Sequence, residues 1–192
     1  MKKLSLPLLT CLIFLSPSVV IGEVFDELEE REGLYYKKFS DVKFTGEITK
    51  DKYIDDVMGS VKNGKIEGPW IEYYFNGQLE KKGYYNNGKK EGLWVEYHWD
   101  GTLGKPFNYN EEQHKYIGQL ESKGSYNNGK KEGPWIEYHE DGQLFRKSNY
   151  KNGKWHGAYQ TTWSNSPFGD KGNYKNGQRD GLWFYYWGNG NL

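Results

Sequence analysis

Asn63-Gly64-Lys65-Ile66-Glu67-Gly68-Pro69-Trp70 is the first full copy of a pattern, Asn-Gly-Lys-x-x-Gly-x-Trp, that returns through the rest of the chain. Aligned on the aromatic after the second glycine, Gly68-Pro69-Trp70, Gly92-Leu93-Trp94, Gly133-Pro134-Trp135, Gly157-Ala158-Tyr159 and Gly181-Leu182-Trp183 form one column. The turns Asn63-Gly64-Lys65, Asn87-Gly88-Lys89, Asn128-Gly129-Lys130, Asn152-Gly153-Lys154 and Asn176-Gly177-Gln178 form another. The step is 24 residues except between Trp94 and Trp135, where it is 41, so the second unit carries an insertion. A fixed period in this range marks an array of stacked supersecondary units.

Each unit reads as two short strands and two turns. Gly68 to Phe75 is rich in β-favouring rings, Asn76-Gly77 turns the chain, Gln78 to Tyr85 returns it, and Asn87-Gly88 leads into the next unit. Asn-Gly suits such turns because both central positions of a type I′ turn need positive φ. The expected fold is therefore all-β, with tandem 24-residue hairpins forming one elongated, twisted antiparallel sheet. Strand alternation puts Trp70, Glu72 and Tyr74 on one face and Ile71, Tyr73 and Phe75 on the other. One face is expected to be sheltered by its own stacked rings and the other to be partly open.

Composition supports this reading. Only 35% of the 192 residues are hydrophobic, whereas 18% are aromatic, so Tyr, Trp and Phe must supply most of the buried area. The 25 glycines follow no collagen period and accompany too many rings for a solvated chain, which places them in turns.

The first 22 residues read as a signal peptide. Lys2 and Lys3 precede an apolar run from Leu4 to Leu15, followed by Ser16-Pro17-Ser18 and Val20-Ile21-Gly22. The run is shorter than a bilayer span requires, so the expectation is cleavage and a secreted or periplasmic location. Removing it takes the lone Cys11 and two lysines, leaving 24 basic against 26 acidic residues. Such a chain has no disulfide and lacks the basic face that nucleic acid requires.

Residues 23–61 are expected to cap the array. Gly33 to Phe39 and Phe44 to Ile48 look like strands that start the sheet, and Gly59-Ser60-Val61 occupies the place of Gly83-Tyr84-Tyr85, a degenerate half repeat. The array itself runs from 62 to 192, with the polar insertion near 104–117 protruding as a loop. At the far end, Trp183-Phe184-Tyr185-Tyr186-Trp187 is expected as an aromatic edge strand with unpaired backbone, a place for a partner or another copy to dock.

The repeat resembles the bacterial variant of the MORN repeat, the YwqK-type antitoxin-like proteins. The resemblance covers Lys62 to Leu192 apart from the insertion, and rests on Asn-Gly-Lys-x-x-Gly-x-Trp followed by Asn76-Gly77-Gln78-Leu79 and Asp141-Gly142-Gln143-Leu144. It implies stacked hairpins and roles in protein association, scaffolding and sometimes membrane contact, with no catalytic residues.

No catalytic motif is visible. His98 and His139 share a column near Glu96 and Glu137, but equivalent residues two strands apart lie about 10 Å from one another, too far to share one zinc ion. No enzyme activity, cofactor or metal is expected. The leading reading is an exported interaction or assembly scaffold with a protein partner. A second is an envelope glycan binder, which requires open rings at Trp70, Trp94 and Trp135. A third is an antitoxin-like binder of a toxin protein. The candidate binding residues are those three tryptophans together with Trp183, Phe184, Tyr185, Tyr186 and Trp187.

Overall fold

A computed structural model describes residues 23–51, 54–74, 78–99, 118–163, 166 and 169–187. The segment 1–22 read as a leader, the expected turn at Asn76-Gly77 and the insertion near 104–117 lie outside the described residues.

The strands are β1 Glu23–Val24, β2 Leu28–Arg31, β3 Leu34–Lys37, β4 Gly46–Asp51, β5 Ile54–Lys62, β6 Lys65–Tyr73, β7 Leu79–Asn86 and β8 Lys89–Tyr97. They continue with β9 Leu120–Asn127, β10 Lys130–Tyr138, β11 Leu144–Lys151, β12 Lys154–Trp155, β13 Gly157–Thr161, β14 Lys171–Lys175 and β15 Gln178–Phe184. The main sheet follows chain order, β1-β4-β5-β6-β7-β8-β9-β10-β11-β13-β14-β15, with β12 also on β11. Every pairing in it is antiparallel except β1 with β4. The expected hairpin array is thus one open sheet.

The inter-unit turns have the backbone that their residues favour. Asn87 and Gly88 sit at φ +53° and +79°, and the other four Asn-Gly pairs match them. Two successive positive φ values give the type I′ geometry whose twist suits a tight hairpin.

The second glycine of each unit has a different task. On the side of the preceding strand, pairing jumps from Tyr84↔Glu91 to Lys82↔Val95, so the outgoing strand carries extra residues at Gly92-Leu93. The same shift falls between Glu132 and Trp135 and opposite Gly172. Gly92, Gly133 and Gly181 take positive φ there, as a bulge requires. The bulge pushes Leu93 and Leu182 into solvent and turns the following tryptophan flat onto the neighbouring strand.

The start of the chain differs from the sequence expectation. Phe44 to Ile48 does lead into the main sheet through β4, but β3 pairs with β2 in a separate two-stranded sheet. This small hairpin folds over the first unit: Leu28, Phe44, Ile48, Val61 and Ile66 cluster with Trp70, and Phe25 meets both Tyr35 and Trp70 edge-on or tilted. The hairpin and the segment before it cover the end of the ring ladder, leaving Trp70 2% exposed.

Candidate interaction surface

The sheltered face is a continuous ladder of rings. Outgoing strands supply tryptophan and return strands supply tyrosine, in the order Trp70, Tyr85, Trp94, Tyr126, Trp135, Tyr150. Centroids are 5.1 to 6.2 Å apart and planes are 73° to 88° apart, the edge-to-face geometry that ring quadrupoles favour. Trp155, Tyr159 and Tyr174 carry it on to Trp183.

Each indole needs a bare backbone beneath it. Gly59 lies under Trp70, Gly83 under Trp94, Gly124 under Trp135 and Gly172 under Trp183. The indole N–H is also satisfied: Trp94, Trp135 and Trp183 donate to the carbonyls of Tyr84, Ser125 and Asn173 beside the bulges, at 3.1 to 3.2 Å. Trp70 donates to Glu72 instead, at 2.7 Å. The fourth unit departs from this scheme, with Ser148 in the glycine column, Tyr159 in the tryptophan column and Trp155 filling the space beside them.

Cations close the ladder from above. Lys90 and Lys131 lie 4.0 and 3.8 Å from the Trp94 and Trp135 ring centroids, and Arg179 lies 4.5 Å from that of Trp183. Burial pushes both lysines below their ordinary value, against the opposing pull of Glu96 and Glu137. Arg146 forms a paired hydrogen bond with Glu137 and lies 5.5 Å from the Trp155 ring centroid. Its burial works against the charge, but Glu137 outweighs this and holds it more firmly protonated than an ordinary arginine.

The turn residues clamp unit to unit. Glu67, Glu91 and Glu132 accept the backbone N–H of Asn87, Asn128 and Asn152 in the next turn, at 2.6 to 2.8 Å. Lys65 and Lys89 reach the side-chain oxygens of Asn87 and Asn128. Lys65, Lys89 and the three glutamates therefore cross-link neighbouring units.

The structure divides the candidate binding residues into two groups. Trp70, Trp94 and Trp135 are 2%, 0% and 1% exposed, so they are core and do not form the open row that a sugar-stacking face requires. Their rings are used up by the glycines below and the tyrosines beside them. Trp183 is half-buried as the last rung. Beyond it, β15 ends at Phe184 and does not reach Trp187. Its partner β14 begins at Lys171, opposite Phe184, where the described pairing of the two strands ends. Phe184, Tyr185 and Trp187 are exposed, with Leu182 next to them at 82%. Trp163, also exposed, donates its indole N–H to the Tyr186 carbonyl at 3.1 Å and draws that segment back across the sheet. Among the described residues β15 pairs only with β14.

A groove between two hairpins is lined by Glu96, His98, Glu121, Glu137, His139 and Phe145 among others. His98 Nε2 lies 2.9 Å from the Tyr138 carbonyl, and the His139 and Phe145 rings are 4.9 Å apart. Among the described residues no group of His, Cys, Asp or Glu is placed to hold a metal ion.

A signal for the buried tryptophans was present in the sequence. Gly59, Gly83, Gly124 and Gly172 each stand 11 residues before a tryptophan of the array, a column as regular as the tryptophans themselves.

These features define an open hairpin-repeat sheet with an internally occupied ring face. The family model described as MORN repeat variant matches residues 66–87 and 131–152. Those segments begin in β6 and β10 and run through β7 and β11 to the next Asn-Gly turn. Among curated proteins none matches the chain.

Proposed function

We propose that the chain is an exported, non-catalytic protein-interaction scaffold whose docking surface is the C-terminal end of the sheet. The observation that carries this reading is the contrast in ring exposure. The ladder from Trp70 to Trp135 is buried by its own neighbours, whereas Leu182, Phe184, Tyr185 and Trp187, in and just after β15, are exposed. Exposed aromatic residues of this kind anchor interfaces. The two matched MORN-variant hairpins support the interaction role, since repeats of this type serve protein or membrane contact. The leader at residues 1–22 supports export.

The test is capture from envelope extract by the full chain, compared with Trp187→Lys and with Leu93→Lys, a change at another exposed apolar position far from this end. A protein lost with Trp187→Lys and kept with Leu93→Lys is the expected result. Capture of purified peptidoglycan glycan in place of protein would favour the envelope glycan reading, through the exposed terminal rings. Equal capture by all three forms would remove the proposed surface.

A further inference from the structure

Every junction between an outgoing strand and the return strand after it obeys one rule. The ring faces a small residue directly across: Trp70↔Gly83, Trp94↔Gly124, Trp135↔Ser148 and Tyr159↔Gly172. Two residues earlier, the bulge glycine faces a tyrosine: Gly68↔Tyr85, Gly92↔Tyr126, Gly133↔Tyr150 and Gly157↔Tyr174. In two junctions a third pair is added, where Glu72 and Glu137 face Lys81 and Arg146. The outgoing strand thus accepts a neighbour reading cation-x-small-x-aromatic, as in Lys81-Lys82-Gly83-Tyr84-Tyr85 and Arg146-Lys147-Ser148-Asn149-Tyr150. On this side the register runs through the bulge without a break, so the bulge does not obstruct the next strand.

β15 is an outgoing strand whose second edge pairs with no described residue. It also carries the pattern that such an edge accepts, in Arg179-Asp180-Gly181-Leu182-Trp183. We propose that two copies of this chain pair through β15, antiparallel, about a twofold axis at Leu182. This rests on the reading of the C-terminal end as a docking surface, and names a second copy as its occupant.

The register follows from the residues. With Leu182 facing its counterpart, Trp183 of each copy faces Gly181 of the other, as Trp70 faces Gly83. Arg179 of each copy then faces Tyr185 of the other, at the position where Lys81 faces Glu72. A shift by two in one direction sets Trp183 against its own counterpart, and a shift by two in the other sets it against Arg179, so neither gives the ring the small residue that faces it in the other junctions. A shift by one turns the ring face of one copy toward the opposite face of the other. The interface continues the unit-to-unit contact already repeated along the sheet, and joins the two ring ladders on one face.

Leu182 is 82% exposed, so replacing it leaves the single copy intact. Light scattering and sedimentation of the full chain are expected to show a dimer. Leu182→Lys and Leu182→Glu set like charges across the axis, and each is expected to weaken association at least about tenfold. An equimolar mixture of the two variants is expected to recover the dimer. A monomeric wild-type chain, variants that associate as well as wild type, or a mixture that fails to recover overturns the proposal. A monomer that still captures another protein through Trp187 leaves the scaffold reading standing alone. A dimer that captures nothing leaves the pairing standing and removes the scaffold reading.

Discussion

Gly83 lies directly beneath the Trp94 indole, so close that a Cβ there would come within 2.2 Å of Cδ2 and Cε2. Gly124 and Gly172 stand in the same relation to Trp135 and Trp183, at 2.3 and 2.4 Å. This contact lets a single sheet bury large rings without a second layer over them. The ring lies down on the neighbouring strand because that strand has no side chain at that point.

Gly83→Ala is therefore expected to destabilise the fold by roughly 2–4 kcal/mol, since the indole must lift and lose its edge contacts with Tyr85 and Tyr126. Gly92→Ala is the control. Gly92 has φ +63° and nothing within 4 Å of an added Cβ, so only the backbone penalty of about 1–2 kcal/mol applies. Urea unfolding of both variants checks this, and a larger loss at Gly92 would contradict it.

Trp94→Phe keeps a ring but removes the donor to the Tyr84 carbonyl. Leaving that acceptor unpaired adds about 1–3 kcal/mol to the loss of ring volume. Trp70→Phe is expected to cost less, because its donor serves Glu72, which keeps an ion pair with Lys81 at 2.6 Å. The two denaturation midpoints, measured side by side, should fall in that order.

His156 occupies the clamp position of Glu67, Glu91 and Glu132, and its Nδ1 lies 3.5 Å from the Asn176 N–H. A carboxylate there would restore the short bond seen in the other units. His156→Glu is expected to stabilise by about 0.5–1 kcal/mol and to slow hydrogen exchange at the Asn176 amide. Unchanged exchange at that amide would show that the clamp is not formed.

Alkaline pH should loosen the ladder through its tyrosines. Burial pushes the Tyr85 hydroxyl up to about 12 from 10.0, and raises Tyr126 and Tyr159 as well. The folded chain then holds protons that the unfolded chain has released, so this contribution is intact below about pH 10 and is lost as pH rises toward 12. Lys90 and Lys131 act in the opposite sense: their lowered values favour folding more as pH climbs toward the ordinary lysine value of 10.5. Stability is expected to hold or rise to about pH 10 and then fall, and Tyr85→Phe should make the fall shallower. Urea midpoints across this range for both forms test it.

The turns and the strand order were legible because they rest on local requirements. Asn63-Gly64 and its four equivalents allow two positive φ values in succession, which few other dipeptides do, and the 24-residue spacing leaves hairpin stacking as the simplest arrangement. The glutamates and lysines after the turns were harder to read. Glu91 acts on Asn128, a residue 37 positions away across the insertion, and nothing local to Lys89-Lys90-Glu91 distinguishes a clamp from a solvated charge.

The amino-acid sequence alone carried the repeat, the hairpin and the ring-rich face, since backbone preference and side-chain alternation act over a few residues. Only the folded chain decided which rings are wet. Trp70, Trp94 and Trp135 look no less available than Trp187 in the sequence, yet the first three lie over glycines of a neighbouring strand and the last has no such strand beside it among the described residues. The same applies to the N-terminal strands: Leu34 to Lys37 is β-forming by composition, but burial of the first rung sends it over Trp70 in a separate hairpin. Exposure depends on what lies across the sheet, and that is set by packing between strands rather than by preference within one.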